Sequence, residues 1–489
     1  MENRKKMGFI LGPLLFLFVF FSPLLPDNPQ AHRLLAVFLL IVVWWVTECI
    51  PIPITALLVP VLITAFKIAP ARDAFAPFAN PIIMLFLGSF VLARAMCVHA
   101  LDRKLALSVL SLKSIGHKKT RILFALGLTS LFLSMWISNT ATTAMMYPIA
   151  LGVMDAFHTN RNKKDSSSFG VILLLTLAYA ASVGGVGTPI GSPPNLIAIG
   201  MLEKLVDYKV TFFQWMIVGF LILIPMYLFL FFMMKLRLKG REKQDQHVDL
   251  SALKEKETEK KLTKAQRNVL FAFSVTVFLW VFPGFVSLVW GRDAALYIWL
   301  KDHFPEAVAA IIGAGLLFFL PVHLKKGEFT LTLREAVRID WGTLLLFGGG
   351  LSLGFQMFET GLADIIGRLF ISMGGSSAGL PLITLLAVTF SVFVTEMTSN
   401  TASANMIIPI IIAISNAASI SPLPPVLGCA IGCSFAFMLP VATPPNAIVF
   451  GSGMIRLPQM MKYGFWLNIG GILIIWFGVN FLVPLLRLL

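Results

Sequence analysis

The sequence predicts an all-α polytopic membrane protein of about 11 transmembrane helices plus two re-entrant hairpins. Three observations carry that expectation. Of 489 residues, 57% are hydrophobic and only 13% charged, about half the charge of an ordinary soluble domain. Apolar runs such as Met7–Phe21 and Leu467–Leu489 follow one another with short breaks, and a bilayer core takes about 20 such residues per helix. The basic residues behind the net charge of +15 collect in those breaks. That distribution follows the positive-inside rule and argues against a nucleic-acid partner.

The elements follow in order. The first apolar segment comes after Arg4-Lys5-Lys6 with no small-residue cleavage site behind it, so it reads as a membrane helix and not as a signal peptide. Basic clusters at 4–6, 103–121, 161–164, 235–267 and 325–338 are assigned to the cytoplasm. Spans then fall near 8–25, 33–49, 53–66, 79–97, 169–200 and 210–236. A second set falls near 268–290, 306–321, 341–357, 422–450 and 463–488. The expected setting is a cell inner (plasma) membrane, with the N-terminus cytoplasmic and the C-terminus outside. Residues 118–157 and 379–420 are each long enough to cross twice, yet hold Ser-Asn-Thr near their centres. They read as hairpins that dip to mid-membrane and return, which is tolerated where protein or a wet cavity surrounds the tip. His99–Ile115 and Thr360–Met373 read as interfacial amphipathic helices. Residues 237–267, charged and mixed in sign, form a cytosolic linker between a first half at 1–236 and a second half at 268–489.

The two halves resemble one another. A shift of 261 residues sets Ser138-Asn139-Thr140 on Ser399-Asn400-Thr401, Phe86 on Phe347, Gly88 on Gly349, Met145 on Met406 and Pro148 on Pro409. Beyond the basic loop near Arg161 the match resumes at a shift of 251, with Gly191–Asn195 ("GSPPN") on Ala442–Asn446 ("ATPPN"). Two polar motifs kept in order and register mark a duplication. The charge assignment enters the first hairpin from the cytoplasm and the second from outside, so the repeats are inverted. Inverted repeats with broken helices mark secondary transporters, whose sites lie where the helices break. "SPPN" and "TPPN" are such breaks near 191–195 and 442–446, because Pro-Pro cannot continue a helix.

Those motifs carry a definite chemistry. Ser, Thr and Asn oxygens with freed backbone carbonyls make neutral cages for hard cations. One cage is sketched by Ser134, Ser138, Asn139 and backbone near Gly191; the other by Thr395, Ser399, Asn400 and backbone near Ala442. Half-helix N-termini seat anions, and Asn139, Thr140, Ser192, Asn400, Thr401 and Thr443 can add side-chain bonds. These motifs hold no Arg or Lys, so bound cations must neutralise an anionic substrate.

"SNT" at both tips, "GSPPN", "ATPPN" and "WWVTECIPIPITALL" (Trp44–Leu58) together resemble the divalent anion/sodium symporter family. It contains bacterial dicarboxylate carriers and the mammalian sodium-dependent dicarboxylate and citrate carriers. The resemblance covers most of the chain apart from the linker. It implies a homodimer whose protomers each hold a scaffold domain and a transport domain moving as an elevator. It implies co-transported sodium ions at the two cages and no organic cofactor. By the same resemblance a dicarboxylate of the succinate, malate or fumarate class is held by Asn139, Thr140, Ser192, Asn400, Thr401 and Thr443, with Pro444 close by. Some relatives exchange dicarboxylates or tricarboxylates without sodium; the neutral ligand set here favours sodium coupling over such an antiporter. Sodium-coupled citrate or sulfate carriage is the other alternative.

Other features point elsewhere or nowhere. No Walker-type P-loop is present, against an ATP-driven pump. All seven histidines fall in loops or at span ends, against an intramembrane hydrolase. A channel would build its filter from a ring of copies, whereas here one chain supplies two halves of a site. Cys49, Cys97, Cys429 and Cys433 read as small core residues, with no further ligands for zinc. Glu48, Arg94, Asp364, Arg368 and Glu396 lie in or near apolar segments. Glu396, beside Thr395, reads as a polar anchor or salt-bridge partner before a tuner of the cation cage.

Overall fold

The computed structural model describes residues 2–110, 118–158, 163–238, 261–373 and 379–482. Most of the expected linker 237–267 lies outside these residues, as do the loop 159–162, the end of the expected helix His99–Ile115 and the close of the last span.

Among the described residues the regular structure is helical apart from one short hairpin. In the first half the helices are α1 (Glu2–Phe21), α2 (Pro29–Thr47), α3 (Ile52–Ala65), α4 (Ala71–Phe75), α5 (Pro81–Val98) and α6 (Leu101–Leu110). They continue as α7 (Lys119–Ser134), α8 (Asn139–His158), α9 (Lys163–Gly184), α10 (Pro193–Val206) and α11 (Phe212–Leu238). The second half opens with α12 (Lys264–Trp290), α13 (Ala295–His303) and α14 (Glu306–Phe319). Strands β1 (Pro321–His323) and β2 (Glu328–Phe329) pair antiparallel, Pro321 opposite Phe329. Then come α15 (Leu333–Ala336), α16 (Trp341–Glu359), α17 (Leu362–Ser372), α18 (Leu380–Thr395), α19 (Asn400–Ala417), α20 (Leu423–Cys433), α21 (Pro444–Phe450) and α22 (Leu457–Phe477).

Local chemistry sets the boundaries. Asn28 and Asn80 cap α2 and α5, accepting from the backbone N–H of Ala31 and Ile82, and each is followed by proline at the first helical position. α2 ends on Glu48, whose positive φ of 52° closes the helix. Six described helices are each long and apolar enough to cross a membrane, and the pair α13–α14, bent by 61°, makes a seventh. Of the remaining expected spans, α3 is shorter and α9–α10 and α20–α21 are broken, whereas α1 and α16 are continuous over 20 and 19 residues. One of the six, α19, is an arm of the second expected hairpin.

The halves interlock. α3 of the first half packs along α16 of the second, and α14 of the second along α5 of the first. A Cβ on Gly88 would come within 2.6 Å of the Ala310 carbonyl, and one on Gly349 would overlap the Ala56 carbonyl. Gly88 and Gly349 are equivalent under the repeat, so one close approach is made twice with the roles of the halves exchanged. Phe86 and Phe347, also equivalent, meet edge to face with centroids 5.6 Å apart. The run Phe347–Gly350 ("FGGG") therefore serves close helix packing.

One end of the bundle gathers the ends of α2 and α5 with the starts of α3, α12 and α16. There Gln266 donates to the His99 carbonyl at 3.0 Å, His99 meets the Thr330 carbonyl at 2.6 Å, and Gly342 abuts Pro53.

Candidate functional site

Each hairpin is two helices joined by four non-helical residues. Met135–Ser138 link α7 to α8, and Glu396–Ser399 link α18 to α19. Asn139 and Asn400 are thus the first residues of helices, one step beyond the tip that the sequence places on Ser-Asn-Thr. The two turns are held alike. Ser134 Oγ donates to Asn139 Oδ1 at 2.5 Å, and Thr395 Oγ1 donates to Asn400 Oδ1 at 2.7 Å. Thr395 also donates to the Cys433 carbonyl at 2.8 Å. Ser138 lies exposed, its Oγ accepting the Ala141 N–H at 3.2 Å and so capping α8. Ser399 occupies the same cap position on α19 with no such bond.

The breaks are wider than the proline motifs alone indicate. Backbone is non-helical over 185–192 and 434–443, and each following helix starts on the first proline, Pro193 or Pro444. Asn195 fixes the first break, its Nδ2 donating to the carbonyls of Gly185 at 2.8 Å and Thr188 at 2.9 Å. Asn446 repeats this with Ala436 at 2.9 Å and Leu439 at 3.0 Å. Both asparagines are buried, so the last letter of "PPN" is a brace for unwound backbone.

Tip and break converge in each half. A Cβ on Gly185 would stand 2.7 Å from Asn139 Oδ1 and 3.1 Å from the Gly191 carbonyl. One on Gly191 would stand 2.6 Å from the Gly185 carbonyl and 3.0 Å from that of Met135. The hydroxyl of Thr188 donates to the Met135 carbonyl. Asn139 Oδ1 and the carbonyls of Met135, Gly185 and Gly191 thus crowd one small volume beside Ser134. The oxygens are neutral, as a weakly held monovalent cation requires. Sequence reasoning reached Ser134, Asn139 and Gly191 but missed Gly185 and Met135, whose contribution is backbone.

Ser192 and Thr443 are buried at the ends of the two breaks, and Thr401 is buried at the start of α19. Ser192 Oγ lies 2.9 Å from Ser434 Oγ, which joins the two breaks directly. Thr140, Pro444 and Val441 are exposed beside them, Val441 at 69%. Ala442 is buried next to Thr443, whose Oγ1 accepts the Asn446 N–H at 3.4 Å.

Glu396 is a polar anchor. Its carboxylate accepts from the backbone N–H of Phe437 at 2.7 Å, Met438 at 2.8 Å and Leu439 at 3.1 Å, and from Asn468 Nδ2 at 2.7 Å. Four donors satisfy one buried anion and hold the second break against the second tip. In the first half the same place is taken by Met135 and the Thr188 hydroxyl, without a charge.

Both tips touch surrounding helices near the same end of the bundle. Trp136 packs edge to face on Phe273, about a third of the way along α12, at 5.2 Å. Met397, its repeat equivalent, accepts from Arg4 at 2.8 Å, and Thr398 donates to the Trp45 carbonyl at the end of α2 at 3.3 Å.

Comparison with known proteins follows the same outline. The sodium:sulfate symporter transmembrane region matches residues 5–488. A protein named sodium-dependent dicarboxylate transporter SdcS from Staphylococcus saprophyticus is 34% identical over 489 residues, covering 98% of this chain and 92% of the relative. Its namesake from Staphylococcus aureus strain USA300 is 35% identical over 490 residues, with the same coverage. Among solved structures, the Alcanivorax borkumensis YdaH transporter aligns with a TM-score of 0.56 at 14% identity, covering 85% of this chain and 86% of that one. At that identity the likeness is one of fold.

Proposed function

Because the chain belongs to the sodium:sulfate symporter family, we propose that it is a secondary transporter importing C4-type dicarboxylates together with sodium ions. The observation that carries this reading is the doubled tip, Ser134 with Asn139 and Thr395 with Asn400, the first set against the carbonyls of Met135, Gly185 and Gly191. The names of the relatives, sodium-dependent dicarboxylate transporters, agree with it.

One sodium ion sits by Ser134, Ser138, Asn139 and the carbonyls near Gly191; the other by Thr395, Ser399, Asn400 and the backbone near Ala442. Between them the dicarboxylate is held by Asn139, Thr140, Ser192, Asn400, Thr401 and Thr443, with Pro444 beside it. The ions do two jobs. Their charge offsets the dianion at close range, and their ligands include the same Asn139 and Asn400 that face the substrate. Binding of ion and anion is thereby coupled through shared side chains. Moving each substrate charge against an inside-negative potential costs about 2.3 kcal/mol per 100 mV. Two sodium ions cancel that cost, so their concentration gradients drive uptake.

The elevator reading has support of its own. Both tips contact helices near the end of the bundle where α2 finishes and α12 begins, and they do so through inequivalent partners, Phe273 for Trp136 and Arg4 for Met397. A symmetric midplane arrangement would give the equivalent tips equivalent neighbours. The charge pattern assigns that end to the cytoplasm, so this arrangement corresponds to an inward position of the moving unit. The protein is read as a homodimer, with the N-terminus cytoplasmic.

Uptake of labelled succinate into proteoliposomes, with and without an inward sodium gradient, tests the function. Accumulation should require sodium. Equal uptake without sodium, driven by dicarboxylate trapped inside, would sink the symport claim and favour exchange. Competition by malate and fumarate, set against citrate and sulfate, assigns the substrate class.

A further inference from the structure

A cavity of about 350 Å³ lies away from the paired tips, between the start of α11, the far end of α12, α13 and the start of α14. Three cationic side chains line it, Lys209, Arg292 and Lys301, against a single carboxylate, Glu306. Glu306 pairs with Lys209 at 3.5 Å. Two of the three cations therefore face the cavity with no lining carboxylate left to offset them.

The other wall is apolar, made by Phe213, Leu279, Pro283 and Leu288. Outside it, the last turns of α12 stand clear of the protein: Phe285, Leu288 and Trp290 are 51%, 56% and 62% exposed. On α13, Trp299 is also about half exposed, and Tyr297 lines the cavity itself. An apolar, aromatic-edged surface of this kind belongs to the boundary between hydrocarbon and headgroups. A small dicarboxylate would find no use for the apolar wall. A phospholipid uses both sides, its phosphate on the cations and its glycerol and first methylenes against α12.

We propose that this cavity binds the headgroup of an anionic phospholipid, and that the lipid ties the loop before α11 to α12 and α13. The site is independent of the transported substrate and of the sodium cages. It fastens a helix that follows the first break to helices outside both hairpins.

Native mass spectrometry of the full chain in detergent, titrated with phosphatidylglycerol or phosphatidylcholine, tests the proposal. The wild type should retain phosphatidylglycerol in preference. Arg292→Ala with Lys301→Ala should weaken that retention by roughly five-fold for each cation removed. Arg292→Lys with Lys301→Arg should keep it, which separates loss of charge from loss of fold. Glu306→Gln should strengthen it by releasing Lys209. Equal retention of the two lipids by the wild type, or undiminished phosphatidylglycerol in the alanine variant, would overturn the proposal. Displacement of the lipid by millimolar inorganic phosphate or succinate would also overturn it, assigning the cavity to small anions.

Discussion

Ser192 and Ser434 meet hydroxyl to hydroxyl at 2.9 Å, each at the edge of a different unwound stretch. Under the repeat Ser192 corresponds to Thr443, but Ser434 corresponds to Val183, so the contact has no mirror image. It is one of the points at which the two repeated halves differ, and it couples one break to the other through a single shared proton.

That coupling is measurable. Ser192→Ala and Ser434→Ala should each raise the succinate concentration for half-maximal uptake. A neutral hydrogen bond is worth about 1 kcal/mol, so the double variant should fall roughly five-fold short of the product of the single effects. A double-mutant cycle on sodium-driven uptake checks this; strictly multiplicative effects would show that the two hydroxyls act separately.

Gly185→Ala should abolish sodium-dependent uptake, because the new methyl would press on Asn139 Oδ1 from 2.7 Å. The second half already carries Ala436 at the equivalent place, so Ala436→Gly should leave uptake within about two-fold of wild type; a glycine in this non-helical stretch adds mainly chain entropy, about 1 kcal/mol or less. Parallel uptake assays with a check of the folded protein by size exclusion decide the matter. Full activity in the Gly185 variant would remove that carbonyl cluster from the cation path.

Replacing Asn139 or Asn400 by Ala deletes an oxygen from a proposed sodium cage and an acceptor from Ser134 or Thr395. Each change should raise the sodium concentration needed for half-maximal uptake by about ten-fold or more, from a loss of 1–3 kcal/mol. Sodium titration at fixed succinate measures it. Unchanged sodium dependence in both would refute the cation assignment.

Glu396→Ala strands three backbone N–H groups, one buried and two partly buried, at a cost on the order of several kcal/mol. Glu396→Gln should cost less, since one oxygen still accepts. In detergent, the melting temperature should fall in the order wild type, Gln, Ala. The stabilisation that sodium gives the wild type should shrink in the same order, which a merely structural defect elsewhere would not produce.

Much of this arrangement is legible in the sequence, for identifiable reasons. Hydrophobic runs fix membrane helices because the bilayer sets their length. Ser-Asn-Thr and Pro-Pro-Asn stand out because polar and helix-breaking residues are costly in such runs, so a repeated pair is conspicuous. What stays hidden is made of backbone. In "SFAFMLPVAT" only Pro440 hints at ten non-helical residues from Ser434 to Thr443, and the first break is betrayed only by Gly185, Gly187 and Pro189, the last being Pro440's counterpart. Glu396 is visible as a charge in a greasy helix, but its partners are three main-chain N–H groups that no residue type encodes. Ser434 escapes for the opposite reason: a search for symmetry passes over a residue whose counterpart is valine.

The exchange of close contacts between α3–α16 and α5–α14 reaches beyond packing. Neither half has anywhere to lay its glycine face except on the other, so a half-length chain alone would be an unfinished object. Two such chains, inserted in opposite senses, would complete each other with no peptide bond between them. Separately translated fragments, cut within 237–267, should therefore find one another in the membrane, with the covalent join serving to guarantee equal numbers and opposite insertion.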